Sequence, residues 1–411
     1  EERNGGFASE GLLTIDGEKH RQQRRAVQPA FHKKQVEGYA RIIADYTRES
    51  LNMWRPGDHI NLSRAMQELT LRIVSKCLFS IDLSNQLGPL SAAFDGVIGS
   101  STSMAEDLLN IRIDNPITGY GKRMAAMRQL DMLIYTLIAQ RRDDDRDYHD
   151  VLSMLMSAES GEEPGTKLTE RQIHDHILTF LAAGHETTAI TLVWTLYLLS
   201  QHPQVRARLQ ADIGAICAGR EPTLDDLANL PSLDWVLNES MRLYPPAWLQ
   251  MRFVTKECEL DGVRLPVGTL LILSQWVLHR LPDIWQDPEA FRPERWDPAN
   301  GEQVPPGAYF PFGGGPRTCI GMPLAQLEAR MILASILQRY TPQPAPGYHP
   351  GFQPVITLRP KRPLQVTLLS ASSSGSDAEW KYLTRFNDVA GKKDRERQGC
   401  RAMFRRLFGL A

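Results

Sequence analysis

The segment from Thr169 to His202 constrains this chain more than any other. Thr169 and Gln172 have the Thr-x-x-Gln spacing of a capping box and Pro203 closes the far end, so the segment reads as one helix of some 33 residues. At roughly 1.5 Å per residue it spans about 50 Å, enough to cross a whole domain. It is apolar almost all round, so it belongs in a protein interior or in a membrane. Glu186, near its middle, weighs against the membrane, because an acidic residue at the centre of a span costs about 2.5–3.5 kcal/mol. The uncharged run Thr187–Ser200 has 14 residues, short of the roughly 18–20 that a span needs. The expected setting is a buried central helix, with no membrane span in this chain.

Most of the remaining chain also reads as helix. Gln35–Met53, Arg64–Phe79 and Lys122–Arg142 carry apolar residues at three- and four-residue intervals, the last ending in the charge cluster Arg141–Asp145. Strand signals are few and late. Val254–Leu260, a turn at Asp261-Gly262, Val263–Pro266 and Thr269–Ser274 predict a small hairpin-rich sheet. Val355–Leu358 and Leu364–Leu369, flanking Pro360–Pro363, predict a second hairpin. Trp285–Pro316 is rich in Pro, Gly and aromatics without a period and reads as ordered but irregular. Ser370–Ser376 has the composition of a flexible linker, and the segment to Ala411 is a mildly basic tail. The predicted organisation is one domain over residues 1–369, followed by linker and tail over 370–411.

Charge and cysteine usage exclude several functional classes. Lys and Arg number 47 against 48 Asp and Glu, so the basic footprint of a nucleic-acid binder is missing. Cys77, Cys217, Cys258, Cys319 and Cys400 are scattered without a Cys-x-x-Cys pair, which disfavours a disulfide framework and a structural zinc site. Glu1–Asn4 does not open a signal peptide. A reducing, cytoplasmic setting is expected.

Four constellations could carry chemistry. In Phe312-Gly313-Gly314-Gly315-Pro316-Arg317-Thr318-Cys319-Ile320-Gly321, a cysteine stands just before a helix start, where the macrodipole and free amides favour a thiolate. The glycines imply backbone pressed close to something flat or bulky, and Arg317 is placed to reach an anionic group. A glycine turn with a buried free cysteine reads equally well. In Ala182-Ala183-Gly184-His185-Glu186-Thr187-Thr188, polar residues interrupt the long apolar helix. This is either a satisfied kink or a place where a small ligand sits and protons pass. It is not a zinc-protease motif, because Ala189 stands where a second histidine ligand belongs. Glu239 and Arg242 share a helix face, as a surface pair or as a buried pair joined by Arg295. His20 and Arg24, one turn apart, form a solvated basic face or point together at an acidic ligand.

The order and spacing of these four resemble the cytochrome P-450 superfamily of haem-thiolate monooxygenases. The loop FxxGxRxCxG (Phe312, Gly315, Arg317, Cys319, Gly321) matches at every fixed position. Before it come, in the family's order, AGxET (Ala183, Gly184, Glu186, Thr187), ExxR (Glu239, Arg242) and PxR (Pro293, Arg295). The resemblance covers about Gly11 to Leu369. One departure is His20 where the family usually has tryptophan. The other is that little chain precedes that helix, so the sequence is expected to lack the family's usual N-terminal segment and any anchor it carried.

The resemblance implies a mainly α fold, a helical prism with small β-sheets and haem b between the long helix and the cysteine loop. Cys319 would be the axial ligand of the haem iron, with Phe312, Gly313, Gly321 and Ala183 against the haem. Arg317, Arg252, His20 and Arg24 would neutralise its propionates. Thr187 would hydrogen-bond dioxygen, and Glu186 would connect it to solvent protons. Glu239, Arg242 and Arg295 would brace the loop. The implied reaction inserts one oxygen atom of O2 into a lipophilic substrate, by hydroxylation or epoxidation. Its electrons come from NAD(P)H through a ferredoxin, flavodoxin or flavin reductase. Ala182, Ala247, Trp248, Leu249 and Ile356 are the expected pocket walls, mostly apolar, leaving fatty acids, terpenoids and polycyclic compounds undivided. The rival readings are a peroxide-using or isomerising P-450 and a non-catalytic haem binder or gas sensor.

Overall fold

The computed structural model describes residues 8–371, apart from 84–86, 95, 98–113, 116, 145, 147, 161–164 and 302. The linker and tail read from sequence lie outside the described residues, except for Ser370 and Ala371.

The central helix runs from Glu170 to Gln201, within a residue or two of the sequence reading. Both halves of its capping box form: Thr169 Oγ1 accepts the Gln172 N–H at 3.2 Å, and Gln172 Oε1 accepts the Thr169 N–H at 2.8 Å. The helix is buried nearly throughout, as expected of a core element. Helix Leu62–Phe79 lies along it, and helices Gly119–Arg142, Pro231–Leu243 and Met322–Arg339 also pack on it, enclosing one apolar core. Among the described residues it is the one helix long and apolar enough to cross a membrane, and it is spent inside the protein.

Two helical expectations shift in detail. Gln35–Met53 is two helices, Lys33–Gly38 and Ala40–Asn52. Gly38 is a poor helix interior residue, and Tyr39 turns its buried ring inward, its hydroxyl 3.4 Å from the Ala30 carbonyl. Lys122–Arg142 begins three residues earlier, at Gly119, because Thr118 caps it by accepting the Gly121 N–H at 3.0 Å.

The strands pair differently from the sequence reading. Cys258–Leu260 and Val263–Leu265 form the expected tight hairpin, with Asp261 and Gly262 at φ 49° and 76°. However, Val254–Glu257 is not strand. The preceding strand is Gln250–Phe253, which pairs with Leu270–Leu273 so that the hairpin projects from a wider ribbon. The expected hairpin of Val355–Leu358 with Leu364–Leu369 does not form. Leu358–Pro360 pairs with Phe352–Pro354, and Gln365–Ser370 lies in the middle of a three-stranded sheet between His59–Asn61 and Tyr340–Pro344. Pro360 and Pro363 have no N–H to give to a ladder joining those two segments. Trp285–Pro316 is irregular as read, with short 3-10 turns at Pro293–Trp296 and Pro298–Asn300.

Candidate active site at a cysteine loop and a gap in the central helix

The cysteine loop is shaped by glycines in the left-handed region, Gly313 at φ 73° and Gly315 at φ 66°. A Cβ on Gly313 would lie 2.7 Å from Gln250 Nε2, so the close approach is to strand Gln250–Phe253. The turn closes with the Cys319 N–H donating to the Phe312 carbonyl at 2.9 Å. Helix Met322–Arg339 starts directly after it, with Gly321 as the residue before its first turn. Cys319 is open to solvent on one side. Enclosure on its other sides pushes the thiol pKa up, against the opposing pull of the Gly321 amide, the Arg24 guanidinium and the Met322 amide. A Cβ on Gly321 would meet Cys319 Sγ and Phe31 only at ordinary contact distances, 3.9 and 4.0 Å.

Three basic side chains gather at this loop. Arg24 donates to the Thr318 carbonyl at 2.8 Å. Arg317 donates to the Leu12 carbonyl at 3.3 Å, to the Ile15 carbonyl and to the Asp16 carboxylate. His20 is buried, and desolvation, then the charges of Arg317 and Arg24, hold its pKa below the ordinary histidine value. Arg252 stands apart from these three. It is exposed and folds back onto its own strand, reaching the Met251 carbonyl at 2.8 Å and Gln250 Oε1 at 3.2 Å. Its partner Gln250 is the residue that lies against Gly313 of the loop.

Between Gln172 and Ser200 every residue of the central helix is buried except Ala182, Ala183, Gly184 and Thr187, and Ala183 is exposed. The polar interruption read from sequence therefore coincides with a gap in the packing. Thr187 Oγ1 donates to the Ala183 carbonyl at 2.7 Å, and Thr191 and Thr195 likewise bond back one turn. The helix nevertheless runs through without a break.

Glu186 is engaged by side chains from outside the helix. Its carboxylate is buried, and Oε1 accepts the Thr357 hydroxyl at 2.6 Å and the Arg359 Nε–H. Sequence reasoning missed both partners. Thr357 and Arg359 alternate as residues on one face of a strand do, but nothing in the sequence says what that face meets.

Glu239 and Arg242 are a buried pair, both without exposed surface. Arg242 grips the carboxylate twice, at 2.9 and 2.8 Å, and its remaining N–H groups reach the carbonyls of His279, Pro288 and Ala290. The same carboxylate accepts from Arg295 Nε at 3.1 Å, the Arg292 N–H at 2.9 Å and Trp296 Nε1 at 2.9 Å. Of the expected pocket residues, Ala247, Trp248 and Leu249 are half-buried and Ile356 is 70% exposed.

The sequence profile of the cytochrome P450 family matches residues 1–368. This chain belongs to the cytochrome P450 family. Over 341 residues it is 38% identical to the cyclooctat-9-en-7-ol 5-monooxygenase of Streptomyces melanosporofaciens, covering 82% of this chain and 73% of that protein. It is 33% identical to the pentalenene oxygenase of Streptomyces avermitilis over 81% of this chain and 74% of that protein. Among solved structures, the haem domain of cytochrome P450DA superposes with a TM-score of 0.78 at 26% identity, covering 90% of this chain and 81% of that one. A cyanobacterial P450 with retinoic acid bound superposes at 0.77 and 27% identity, with 88% and 81% coverage.

The P450 fold expected from the sequence is therefore the observed one, and the protein is a haem-dependent monooxygenase that uses O2 and reductase-derived electrons on lipophilic substrates. The residues present fit a haem. A solvent-reachable sulfur receives two backbone amides, basic side chains converge beside it, and the core helix leaves a stretch of small side chains uncovered.

Proposed function

We propose that this P450 oxygenates a cyclic terpenoid hydrocarbon or its mono-alcohol, at a site formed by Cys319 and the uncovered stretch of the central helix. The observation that carries the site is the gap itself: four unburied residues in a helix otherwise buried from Gln172 to Ser200. The substrate class rests on the relatives named for pentalenene and cyclooctat-9-en-7-ol, together with the apolar surfaces of Ala182, Ala247, Trp248, Leu249 and Ile356.

Cys319 is the residue to ligate the haem iron, its sulfur held by the Gly321 and Met322 amides. His20, Arg24 and Arg317 are placed for the propionates, with Arg317 leaving Asp16 to reach them. Phe312 and Gly313 shape the loop, Ala183 would leave room for the haem, and Arg252 would have to leave its own strand, beside Gly313, to join the cations at the propionates. When bound, the haem supplies the oxidising chemistry. The chain's own part is to orient the substrate, exclude water and move protons. Thr187 Oγ presents a hydroxyl at the gap, and Glu186 one residue before it is the nearby buried carboxylate. Glu239, Arg242 and Arg295 hold the chain that leads into the cysteine loop.

Exposed Arg25, His32, Lys33 and Lys34 lie on the elements next to the loop and suit an acidic electron donor, a ferredoxin or flavodoxin, in a cytoplasmic setting. The intact Glu186-Thr187 pair favours this reading over a peroxide-using or isomerising enzyme. A spectral binding screen of pentalenene, related cyclic terpenes and fatty acids, followed by product analysis with a surrogate reductase, tests it. Saturable spin-state shifts and oxygenated product with the terpenes are expected. Binding and turnover confined to fatty acids would overturn the substrate class.

A further inference from the structure

The hairpin of Phe352–Pro354 and Leu358–Pro360 does two things at once. Its turn presents Ile356 as a largely exposed apolar side chain on an expected pocket wall. The next residues, Thr357 and Arg359, hold the Glu186 carboxylate from the other side. The hairpin is also tied down. Trp248 Nε1 donates to the Val355 carbonyl at 2.9 Å, Trp194 Nε1 donates to the Leu358 carbonyl at 2.9 Å, and the Leu358 N–H donates to the Pro246 carbonyl at 2.9 Å. With both flanks fixed, a push on Ile356 is passed to Thr357 instead of being absorbed by a swing of the whole hairpin. Arg359 borders a cavity of about 310 Å³ behind the central helix, shared with Gln67, Lys361 and Ala189. The guanidinium therefore stands between that cavity and the carboxylate.

We propose that Thr357 and Arg359 are positioning residues for Glu186, and that the hairpin transmits the seating of substrate against Ile356 to the orientation of that carboxylate. This rests on the reading of Glu186 as the proton-carrying group next to Thr187. The geometric basis is that one oxygen of a buried carboxylate receives two donors from one short hairpin, Thr357 in its turn and Arg359 in its second strand, and that the adjoining turn residue Ile356 is largely exposed. Two donors on a single oxygen fix the plane of the carboxyl group, so displacing either one lets it turn.

The test uses the haem-loaded full chain and needs no substrate. The Glu186 carboxyl carbon is followed by NMR in protein labelled at glutamate carboxyls and is assigned by its loss in Glu186→Gln. Thr357→Val and Arg359→Gln are each expected to shift that signal, Arg359→Lys to restore it at least in part, and Ile356→Ala to shift it without touching the carboxylate. Melting provides a second readout. Arg359→Gln should lower the midpoint in the wild-type background and lower it much less in Glu186→Gln, where no charge is left stranded. A signal unmoved by Thr357→Val and Arg359→Gln, or equal melting losses in both backgrounds, would overturn the positioning role. A signal unmoved by Ile356→Ala alone would overturn the transmission. Neither readout depends on turnover. The product yield per NAD(P)H of Glu186→Gln therefore judges the proton-carrying reading separately.

Discussion

Gly184 in the central helix abuts Val74 in helix Leu62–Phe79 so closely that a Cβ on Gly184 would lie 2.6 Å from Val74 Cγ2. Gly184, part of the stretch read from sequence as a kink or a ligand position, thus serves contact between two helices, the most extensively packed pair among the described residues. Val74 is β-branched and buried, so its side chain is stiff and retreats only at a cost. Gly184→Ala gains up to about 1 kcal/mol of helix propensity, but the clash costs about 1–3 kcal/mol. A lower melting temperature is expected, recovered by adding Val74→Ala. A stabilised Gly184→Ala would show that the two helices part easily.

Glu239→Ala removes the one carboxylate that Arg242, Arg295, Trp296 and the Arg292 amide share. Stranding buried guanidinium charges costs about 3–5 kcal/mol. Poor yield of folded, haem-loaded protein is expected, measured as haem per chain and melting midpoint. Full occupancy with unchanged melting would show that the network is dispensable.

These two sites also mark what could be read from the sequence. A capping box, a 3.6-residue period and a terminal proline are local signals, so the central helix was legible almost to the residue. Glu239 and Arg242 were legible as neighbours because i,i+3 residues share a helix face, yet their burial depended on a meander some 50 residues away. The strand Tyr340–Pro344 was hidden by Pro342 and Pro344, which demote any strand reading. Gln365–Ser370 was visible as a strand but assigned the wrong partner. Pairing across long sequence separations is decided by packing, and no local pattern records it. The Thr357 and Arg359 contacts to Glu186 belong to the same class.

Four buried histidines, His20, His174, His176 and His279, give the stability a pH dependence of opposing signs. His174 lies between Asp131 at 3.1 Å and Asp175 at 2.9 Å. Burial disfavours its charged form, but the two carboxylates outweigh that and leave its pKa raised. A raised folded pKa means that its contribution is complete below the unfolded value of about 6.5 and is lost as pH rises through the folded value. Burial lowers His176 to about 4 and His279 to about 3, so both stay neutral while the unfolded chain takes up protons, and acid destabilises them. The hydrogen bonds agree: His279 Nε2 accepts the Phe310 N–H at 3.1 Å, as a neutral ring can. His20, also buried and lowered, adds to the same side, so with three groups against one melting should fall as pH drops from about 7 to 5. His174→Gln should cost more stability near pH 5.5 than near pH 9 (roughly one unit below and well above the ordinary histidine value). An equal cost at both values would remove the charged bridge.

Cys319→Ser replaces the sulfur that the Gly321 and Met322 amides face. No other described cysteine combines solvent access with a position at a helix start: Cys77 and Cys217 are buried, and Cys258 lies on a strand. The variant is expected to lose the red-shifted Soret band of the ferrous carbon monoxide adduct while the far-ultraviolet spectrum stays helical. A band at the wild-type position in the variant would exclude Cys319 as the ligand.

Thr187→Ala separates the hydroxyl's chemistry from its place in the helix. The hydroxyl donates to the Ala183 carbonyl at the uncovered stretch, a bond the helix does not need because that carbonyl already has its i+4 amide. Alanine is the better helix former by up to about 0.7 kcal/mol, so melting should stay level or rise slightly. In the role proposed for Thr187, losing a hydrogen bond of about 1–1.5 kcal/mol corresponds to roughly a 5- to 13-fold fall in product per NAD(P)H, with the missing equivalents recovered as hydrogen peroxide. Thr187→Ser keeps the oxygen and should recover most of the coupling, because the Ala183 carbonyl can still orient it. If Thr187→Ala couples as well as the wild type, the hydroxyl has no part in proton delivery. If Thr187→Ser fails as badly as alanine, the methyl group is what matters, as a packing wall at the gap in the central helix.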